Sequence, residues 1–304
     1  MVQKKRKYFV TGHTAKGFVN FFEKNLYGIE RIITIKHESN TIMTEIIQTL
    51  KNYYDEQYDV EVICSPQSKS YIEGIIIRSL RLAIVSNNVA PHENDCSTVF
   101  TVEDDMSRCV DWTKFKQLKQ KQKELYEESY QLFQQGLDIH TQVEKIYINE
   151  MDFKKADGIA HHTIHSIFKN QQKRNRESVI YERLFGTNTS EGVVNLIPFI
   201  IKEIGKVVHI KGRAGTGKSV FMKNILNACI QYGFDVEVYR CSFDPNSVDM
   251  IVIRDLDICF FDSTPPHEFT PTESKESVID LYESTVTQGT DEKYQKEIGI
   301  LTRK

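Results

Sequence analysis

The chain has 304 residues, with 39 basic and 42 acidic side chains and a formal net charge of −3. Hydrophobic residues make up 40 % of it, which allows a buried core and excludes wholesale disorder. The charge balance gives no general reason for binding nucleic acid, and no apolar run approaches the roughly 20 residues that span a membrane. Six cysteines without a C-x-x-C pair indicate thiols in a reducing compartment, so we expect a cytoplasmic protein.

The same unit occurs twice along the chain. Residues 17–44 align without a gap with residues 192–219, at an offset of 175. From residue 58 the offset is 176, as in YDVEV at 58–62 and FDVEV at 234–238. Because the spacing agrees over several elements, we predict an α/β protein with two related modules, residues 1–110 and 186–304. Each module is expected to hold a mainly parallel sheet flanked by helices.

Residues 111–185, between the two modules, are predicted to form a helical arm and a linker. From residue 112 to 148 the chain is rich in Lys, Glu and Gln and lacks proline. Apolar residues recur every seven positions, at Leu118, Leu125, Leu132, Ile139 and Ile146. This row predicts an amphipathic helix, and a second helix over residues 156–168 would complete an inserted antiparallel hairpin. The arm is a candidate surface for a protein partner.

A polar segment, QQKRNRE at residues 171–177, follows the arm and predicts a mobile linker. Its arginines could close over a phosphate as a lid or contact nucleic acid. A solvated loop is the favoured interpretation, because no aromatic residues are interleaved with the basic ones.

Residues 212–219, GRAGTGKS, match the P-loop pattern G-x-x-x-x-G-K-[ST]. A β-branched stretch precedes them and a helical apolar period follows, which is the context that a P-loop needs. Glycines allow backbone N–H groups to surround a phosphate at a helix N-terminus, where the helix dipole favours an anion. A glycine-rich turn without function is the alternative. The predicted nucleotide-binding residues are Gly212, Arg213, Ala214, Gly215, Thr216, Gly217, Lys218, Ser219 and Val220.

Asp262 is the predicted acidic partner of this loop. It ends the apolar run at residues 258–261, and a buried parallel strand would deliver it to the carboxyl edge of the sheet. Ser219 and Asp262 are therefore the predicted Mg²⁺ ligands, and Lys218 would reach the β- and γ-phosphates of ATP. An aspartate that begins a turn before Pro265 is the alternative.

The first copy lacks the chemical residues of the second. Residues 37–44, HESNTIMT, stand in place of the P-loop, with Met43 at the position of Lys218 and Ser86 at that of Asp262. We therefore predict one nucleotide site, in the second module. The tripeptide PHE occurs at 266–268 and again at 91–93, in the copy that lost the site, which favours a structural loop or a shared surface over a role in hydrolysis. Glu268 remains a candidate general base.

Four blocks of this sequence together resemble a little-characterised family of tandem P-loop proteins from Gram-positive bacteria. The blocks are GHTAKGF at 12–18, EKIYI at 144–148, GRAGTGKS at 212–219 and DSTPPHE at 262–268. The resemblance covers essentially the whole chain and implies ATP binding by the second module. Family members are described as ATPases, ATP-binding proteins or nucleotide kinases. The chain departs from the family at Ile42 and Met43, and it reaches Lys304 where the family pattern predicts a second arm.

Three functions are compatible with these residues. The first is a Mg²⁺-dependent ATPase with a degenerate regulatory half, the second is a nucleotide or small-molecule kinase, and the third is a nucleotide sensor that does not hydrolyse ATP. The sequence favours the first slightly. Ser263 follows Asp262 where many P-loop ATPases have glutamate, which weakens the expectation of fast hydrolysis. The predicted ligands are ATP and Mg²⁺, and no nucleic-acid or membrane partner is indicated.

Overall fold

A computed structural model describes residues 6–90, 97–103, 110–265 and 268–303. The chain divides into two compact units. Unit 1 comprises Met1–Leu132 with Arg183–Ile200, and unit 2 comprises Phe133–Glu182 with Ile201–Lys304. Two six-stranded mixed sheets with helices confirm the α/β class. These units are defined by spatial contacts, whereas the modules 1–110 and 186–304 and the arm 111–185 are defined by the sequence repeat and remain predictions.

Each half of the chain contributes eight described strands. The first half forms β1 (Arg6–Tyr8), β2 (Thr11–Thr14), β3 (Gly17–Asn20), β4 (Arg31–Lys36), β5 (Glu61–Cys64), β6 (Ile72–Ile77), β7 (Leu82–Ser86) and β8 (Ser97–Thr101). The second half forms β9 (Ile180–Leu184), β10 (Gly186–Thr189), β11 (Gly192–Asn195), β12 (Lys206–Lys211), β13 (Val236–Arg240), β14 (Val248–Ile253), β15 (Ile258–Asp262) and β16 (Glu276–Asp280). Two of these pairs, β2–β3 and β10–β11, are separate hairpins.

Eight helices lie among the described residues. They are α1 (Asn40–Tyr54), α2 (Trp112–Asn149), α3 (Phe153–Phe168), α4 (Ile197–Ile201), α5 (Lys218–Tyr232), α6 (Leu281–Thr285), α7 (Thr290–Lys293) and α8 (Gln295–Leu301). Among the described residues, none of these helices is both long and apolar enough to cross a membrane.

The two sheets share one topology. Their strand orders, β1-β5-β6-β7-β4-β8 and β9-β13-β14-β15-β12-β16, match strand for strand. In the first sheet β4 lies parallel to β7 and β8, and in the second β12 lies parallel to β15 and β16. Strands β6 and β14 run antiparallel to both neighbours, so the sheets are mixed. Short connections lead into β6 and β14, and a parallel pairing would have required a longer crossover.

The residue offsets seen in the sequence recur in the strand registers. Gly74 lies opposite Val85 in the first sheet, and Met250 lies opposite Phe261 in the second, 176 positions later. The turn before β7 places Arg81 in the left-handed region at φ 53°, and the turn before β15 places Asp257 there at φ 51°. Non-glycine residues rarely adopt this conformation, so its recurrence at matched positions indicates one shared backbone plan.

One face of each sheet is covered by a helix, α1 after β4 in the first sheet and α5 after β12 in the second. In unit 1, Ile47 of α1 packs with Ile75 of β6, and both are fully buried. In unit 2, Ile225 of α5 packs in a core with Ile251 and Phe260. Burying such a side chain contributes about 1.5–3 kcal/mol, which holds the start of each helix against the carboxyl edge of its sheet.

Both predicted arm helices are present, but their packing differs from the predicted hairpin. Helix α2 begins at Trp112, ends at Asn149 and is followed by a short turn to α3. The apolar face of α3, with Ala160 and Phe168, belongs to the core of unit 2, and α3 packs mainly against α5 and α6. A heptad row identifies an apolar face without identifying its partner, which is why the antiparallel pairing with α2 was expected instead.

The segment 171–177 is fixed to unit 2 through its arginines. The Arg174 guanidinium lies 3.9 Å from the centre of the Phe234 ring, and the Arg174 N–H donates to the Tyr232 carbonyl at 2.9 Å. Arg176 pairs with Asp235 at 3.0 Å. These contacts lie at the carboxyl end of α5, about four turns from its N-terminus. The segment therefore does not lie over the predicted phosphate loop.

Four cysteines, Cys64, Cys229, Cys241 and Cys259, lie in the described part of the chain, and all four are free thiols. Burial raises the pKa of Cys229 to about 12, so this thiol stays protonated at neutral pH. Its role is packing, since Cys229 belongs to the core of unit 2. Cys96 and Cys109 lie outside the described residues.

Candidate functional site

The glycine-rich loop at residues 212–217 joins β12 to α5. Strand β12 ends at Lys211, and α5 begins at Lys218 with Gly217 as its N-cap. Gly217 has a φ of 81°, which a glycine adopts without the steric cost that a side chain would impose. The first N–H groups of α5 have no partner within the helix and lie where an anion would be stabilised.

The carboxyl end of α2 packs directly on this loop. Gly215 has a φ of 77°, and a Cβ atom at this position would overlap the Glu144 carbonyl oxygen. Glycine is therefore required at position 215 for two reasons, the positive φ of the backbone and the close approach of the Glu144 carbonyl. This contact was not predicted from the sequence, although Glu144 begins one of the blocks on which the family resemblance rests.

A second contact on the same side holds Arg213. Its guanidinium donates to the Asp291 carboxylate at 2.8 Å through an Nη atom and at 3.3 Å through Nε. The Tyr147 hydroxyl of α2 donates to the other oxygen of Asp291 at 2.8 Å. These hydrogen bonds hold the pKa of Asp291 below its ordinary value despite partial burial. Arg213 is thus a structural cation of the loop, and its guanidinium is committed to Asp291.

Lys218 and Asp262 come together at the carboxyl edge of the sheet. Ile210 of β12 lies opposite Asp262 of β15 in the parallel register, so the strand that leads into the loop and the strand that delivers the acid are direct neighbours. The Lys218 Nζ atom lies 3.7 Å from an Asp262 carboxylate oxygen. It also donates to the carbonyl oxygens of Gly212 at 3.2 Å and Arg213 at 2.8 Å. Two of the predicted site residues therefore form one charged pair.

Ser219 lies next to this pair, on the first turn of α5. Its hydroxyl oxygen accepts a hydrogen bond from the Val248 N–H at 3.1 Å. The equivalent atoms in unit 1 make the same bond, from the Ile72 N–H to the Thr44 hydroxyl at 3.3 Å. This bond ties the helix start to the neighbouring strand in both units, and it leaves the hydroxyl able to meet a cation through a second lone pair.

Asp249 is a candidate site residue that the sequence-based prediction missed. Because Met250 lies opposite Phe261, Asp249 and Asp262 occupy the next positions on two antiparallel strands and extend to the same face of the sheet. Asp249 is only 7 % exposed. Burial, together with the nearby Asp262 carboxylate, raises the pKa of Asp249 to about 7. Two carboxyl groups thus face each other beside Lys218.

A signal for Asp249 was present in the sequence. Strand β14 reads VDMIVI, in which one acid interrupts a run of buried apolar residues. The matched residue of unit 1 is Glu73, which is also buried and has a pKa raised to about 7 by burial. The hydroxyls of Thr11 and Ser65 donate to Glu73 at 2.7 and 3.0 Å. In unit 1 two hydroxyl donors satisfy this acid, whereas in unit 2 the matched acid accepts from the Ser247 hydroxyl at 3.5 Å and also faces a second carboxylate.

Glu268 does not join the charged pair in the described contacts. Its carboxylate pairs with Lys211 at 3.3 Å and is 53 % exposed. Ser263 is turned to hold the following segment, since its hydroxyl donates to the Phe269 carbonyl at 3.0 Å and lies 3.0 Å from Nδ1 of His209. Pro266 and His267, and the matched residues 91–93, lie outside the described residues.

The matching segment of unit 1 has a different backbone. Helix α1 begins at Asn40, three positions earlier than α5 at the same alignment, with Ser39 as its N-cap. Residues that would form the last part of a loop are therefore helical. Met43, at the position of Lys218, is 2 % exposed and belongs to the core. The Asn40 side chain, at the position of Gly215, donates to Gln67 and accepts from Asn88 at 2.9 Å.

Comparison with known proteins gives no relative: no family model, curated protein or solved structure matches the chain significantly.

Proposed function

We propose that unit 2 binds ATP with Mg²⁺ in a single P-loop site and hydrolyses it slowly. One observation carries the proposal: the sequence GRAGTGKS joins a buried strand to a helix, and its lysine lies 3.7 Å from the acid that ends the adjacent parallel strand. Lys218 would contact the β- and γ-phosphates of ATP, and the N–H groups at the start of α5 would surround the β-phosphate. The resemblance to tandem P-loop proteins supports the same proposal.

The charges around the loop favour a ligand that brings a divalent cation. Asp249 and Asp262 face each other with one ammonium group, that of Lys218, nearby. Two carboxylates and the Ser219 hydroxyl provide the hard oxygen donors that Mg²⁺ prefers, and the phosphates of the nucleotide would supply further ones. In this account Ser219 and Asp262 bind the ion, and Asp249 adds negative charge behind it.

Hydrolysis is proposed as slow because no acid is placed as a general base among the described contacts of the loop. Glu268 pairs with Lys211, and Ser263 binds Phe269. The same observation favours a second candidate function, phosphoryl transfer to an acceptor that carries its own reactive group. General-base catalysis typically contributes 10²–10⁴-fold, so its absence separates a slow ATPase from a fast one.

Measuring ADP formation from Mg²⁺-ATP alone, and then with a panel of nucleosides and nucleotides, tests these functions. A slow ATPase forms ADP at the same rate with and without acceptors, and the Lys218→Ala variant loses this activity. If ADP forms only when one particular acceptor is present, the protein is a kinase and the proposed ATPase function is wrong. ATP binding without ADP in either condition would indicate a sensor and contradict both enzymatic functions.

Replacing Asp249 with asparagine is expected to weaken Mg²⁺-ATP binding about tenfold, as loss of groups behind a metal ligand commonly does. The folded protein should be no less stable, because the change removes one of two facing buried acids. Binding is measured by calorimetry with Mg²⁺ and again with EDTA, and only the Mg²⁺-dependent part should fall.

The matched control is Asp255→Asn, at the turn that joins β14 to β15, where the side chain is exposed and pairs with Arg174. This variant should keep the affinity of the wild type. Equal affinity for Mg²⁺-ATP in Asp249→Asn and the wild type would remove Asp249 from the site and leave it a structural acid, as Glu73 is in unit 1.

A cytoplasmic location remains part of the proposal, and the arm is the proposed surface for a protein partner. Lys114, Lys116, Lys119, Lys121 and Lys123 of α2 form the densest basic run in the described helices. Acidic residues follow this run directly, at Glu124, Glu127 and Glu128. Such an alternation is not the one-signed surface that nucleic acid requires, so a protein partner is the better match.

A further inference from the structure

The part of α2 that belongs to unit 2 is held by two close contacts. Near its start, the Phe133 ring meets the Phe243 ring edge-on, with 6.2 Å between the centroids. A Cβ atom added to Gly136 would lie 3.3 Å from the same ring, so the helix backbone approaches Phe243 closely. About two turns further along, the Glu144 carbonyl lies against Gly215 of the glycine-rich loop. These contacts fix both the position and the rotation of the helix between them.

The two contacts lie at the two ends of a four-strand span of the second sheet. Phe243 follows β13 and Gly215 follows β12, and β14 and β15 lie between these strands in the sheet. Because β14 is antiparallel to both neighbours and β15 is parallel to β12, the carboxyl ends of β13, β15 and β12 share one edge. Three strand spacings of about 4.8 Å give about 14 Å from β13 to β12, and residues 136–144 rise about 12 Å along α2. The helix therefore crosses this edge above β14 and β15.

His140 lies at the middle of the crossing. It is four positions from Gly136 and four from Glu144, and at 100° per residue it is about 40° around the helix from either. The face of α2 that makes the two contacts therefore includes His140. Below it are the start of β14 and the end of β15, which carry Asp249 and Asp262. One histidine of the arm thus lies over the two facing carboxyl groups.

The His140 imidazole has one charged neighbour on its own helix. Its Nε2 atom lies 3.7 Å from a Glu144 carboxylate oxygen, and its side chain is 49 % exposed. An imidazole has two ring nitrogens, so a pairing through Nε2 leaves Nδ1 for a second ligand. Since half of the side chain is exposed, the ring is not packed into the sheet edge, and a ligand can reach it.

The charges at this edge favour a second cation once ATP is bound. The Arg213 guanidinium is committed to Asp291, and the Lys218 ammonium is shared between loop carbonyls and Asp262. P-loop enzymes commonly stabilise the charge on the γ-phosphate with a cation supplied from outside the loop. His140 is placed as such a group, because it comes from the arm and can carry a positive charge near neutral pH.

We infer that His140 contacts the γ-phosphate of the nucleotide and makes the site prefer ATP to ADP. The inference rests on the proposed nucleotide site of unit 2. The β-phosphate would be surrounded by the N–H groups at the start of α5, whereas the γ-phosphate would extend past Lys218 towards Asp262 and the helix above it. The arm therefore supplies a residue of the site, and only a nucleotide with a third phosphate reaches it.

Calorimetric titration with Mg²⁺ and either ADP or the β,γ-imido analogue of ATP tests the inference, because the analogue carries the γ-phosphate and resists hydrolysis. His140→Ala should lower the affinity for the analogue about tenfold, as loss of a charge-assisted hydrogen bond does, and change the affinity for ADP less than about twofold. His140→Arg keeps a cation at this position and should retain most of the preference for the analogue. Circular dichroism checks that each variant keeps its helices.

The matched control is Gln142→Ala, about 200° around the same helix from His140. The Gln142 side chain donates to the Asp138 carbonyl within α2, so both affinities should stay at the wild-type values. Equal losses for the two ligands in His140→Ala, or no loss for either, would overturn the inference and leave the nucleotide site in place. A wild-type chain that binds neither ligand would contradict the nucleotide site itself, and the inference with it.

Proton NMR of the histidine rings distinguishes direct contact from an indirect effect. The Cε1–H signal of His140 is identified by its absence from the spectrum of His140→Gln. This signal should shift when the imido analogue binds with Mg²⁺, and it should shift much less with ADP. A shift of the same size with both ligands would show that the ring responds to nucleotide binding without contacting the γ-phosphate, which contradicts the inference.

Discussion

Replacing Lys218 with alanine is expected to lower the affinity for Mg²⁺-ATP at least about 30-fold, since removing one partner of a partly buried charge pair costs about 2–5 kcal/mol or more. The side chain is 11 % exposed and lies between the loop carbonyls and Asp262. Without it, the β- and γ-phosphates would face Asp249 and Asp262 with no lysine between them. Isothermal titration calorimetry measures the change directly.

The matched control for Lys218→Ala is Lys223→Ala, on the exposed side of the same helix. It removes the same charge without touching the loop, so ATP affinity should stay within about twofold, as for a change in an exposed charge. Met43 is a poor control, although it occupies the matched position of unit 1. It is 2 % exposed, and Met43→Ala would destabilise the core by about 2–5 kcal/mol. Equal affinity in Lys218→Ala and the wild type would contradict the site.

Replacing Glu61 with alanine is expected to destabilise unit 1 by about 3–5 kcal/mol, the usual cost of removing one partner from a buried ion pair. Arg183 is 1 % exposed and lies 3.1 Å from one Glu61 oxygen, and Arg78 binds Glu61 through Nε at 2.8 Å. The Tyr8 hydroxyl donates to Glu61 at 2.6 Å. Removing the carboxylate leaves Arg183 buried without this counter-charge.

Urea unfolding, followed by far-UV circular dichroism, measures the free energy of unfolding of each variant. The matched control is Glu30→Ala. The Glu30 side chain is 63 % exposed and pairs with Arg81. An exposed pair contributes about 0–1 kcal/mol, so the control should unfold at nearly the same urea concentration as the wild type. A Glu61→Ala protein as stable as Glu30→Ala would show that the buried network does not hold unit 1 together.

The pH dependence of this effect has a definite sign. The Arg183, Arg78 and Arg6 guanidinium groups outweigh burial and lower the pKa of Glu61 to about 2, from an ordinary value of 4.5. Its stabilising contribution is therefore fully present above about pH 4.5 and is lost as the pH falls towards 2. The stability difference between wild type and Glu61→Ala should shrink over that interval. Glu73 has the opposite sign, because burial raises its pKa to about 7 and its carboxyl destabilises the fold as the pH rises from 4.5 to 7.

The parts of the fold that the sequence predicted are those that local patterns determine. The repeat offset gave the matched strands, because strand lengths and turns at Arg81 and Asp257 keep their spacing in both halves. The strand–loop–helix context of residues 212–219 followed from β-branched residues, glycines and a helical period. The structure places Lys218 beside Asp262 as the motif predicts.

Other parts depend on contacts that a linear pattern does not contain. Asp249 reaches the site only because β14 inserts antiparallel beside β15, a choice set by the short connection before it. The apolar face of α3 does not by itself predict which helix α3 packs against. Helices α5 and α6 have apolar side chains that can cover this face, and so does α2. The close approach of the Glu144 carbonyl to Gly215 is a contact between the backbones of two distant segments. Side-chain patterns in the sequence do not predict such a contact.

Calorimetric titration of the wild-type chain with Mg²⁺-ATP tests the central claim most directly, because its stoichiometry counts the sites. Unit 2 has the glycine-rich loop with its lysine and acid, whereas unit 1 has a helix start at Asn40 and a buried methionine in their place. We predict one ATP bound per chain. Two ATP molecules per chain, or no binding at millimolar ATP, would contradict the account.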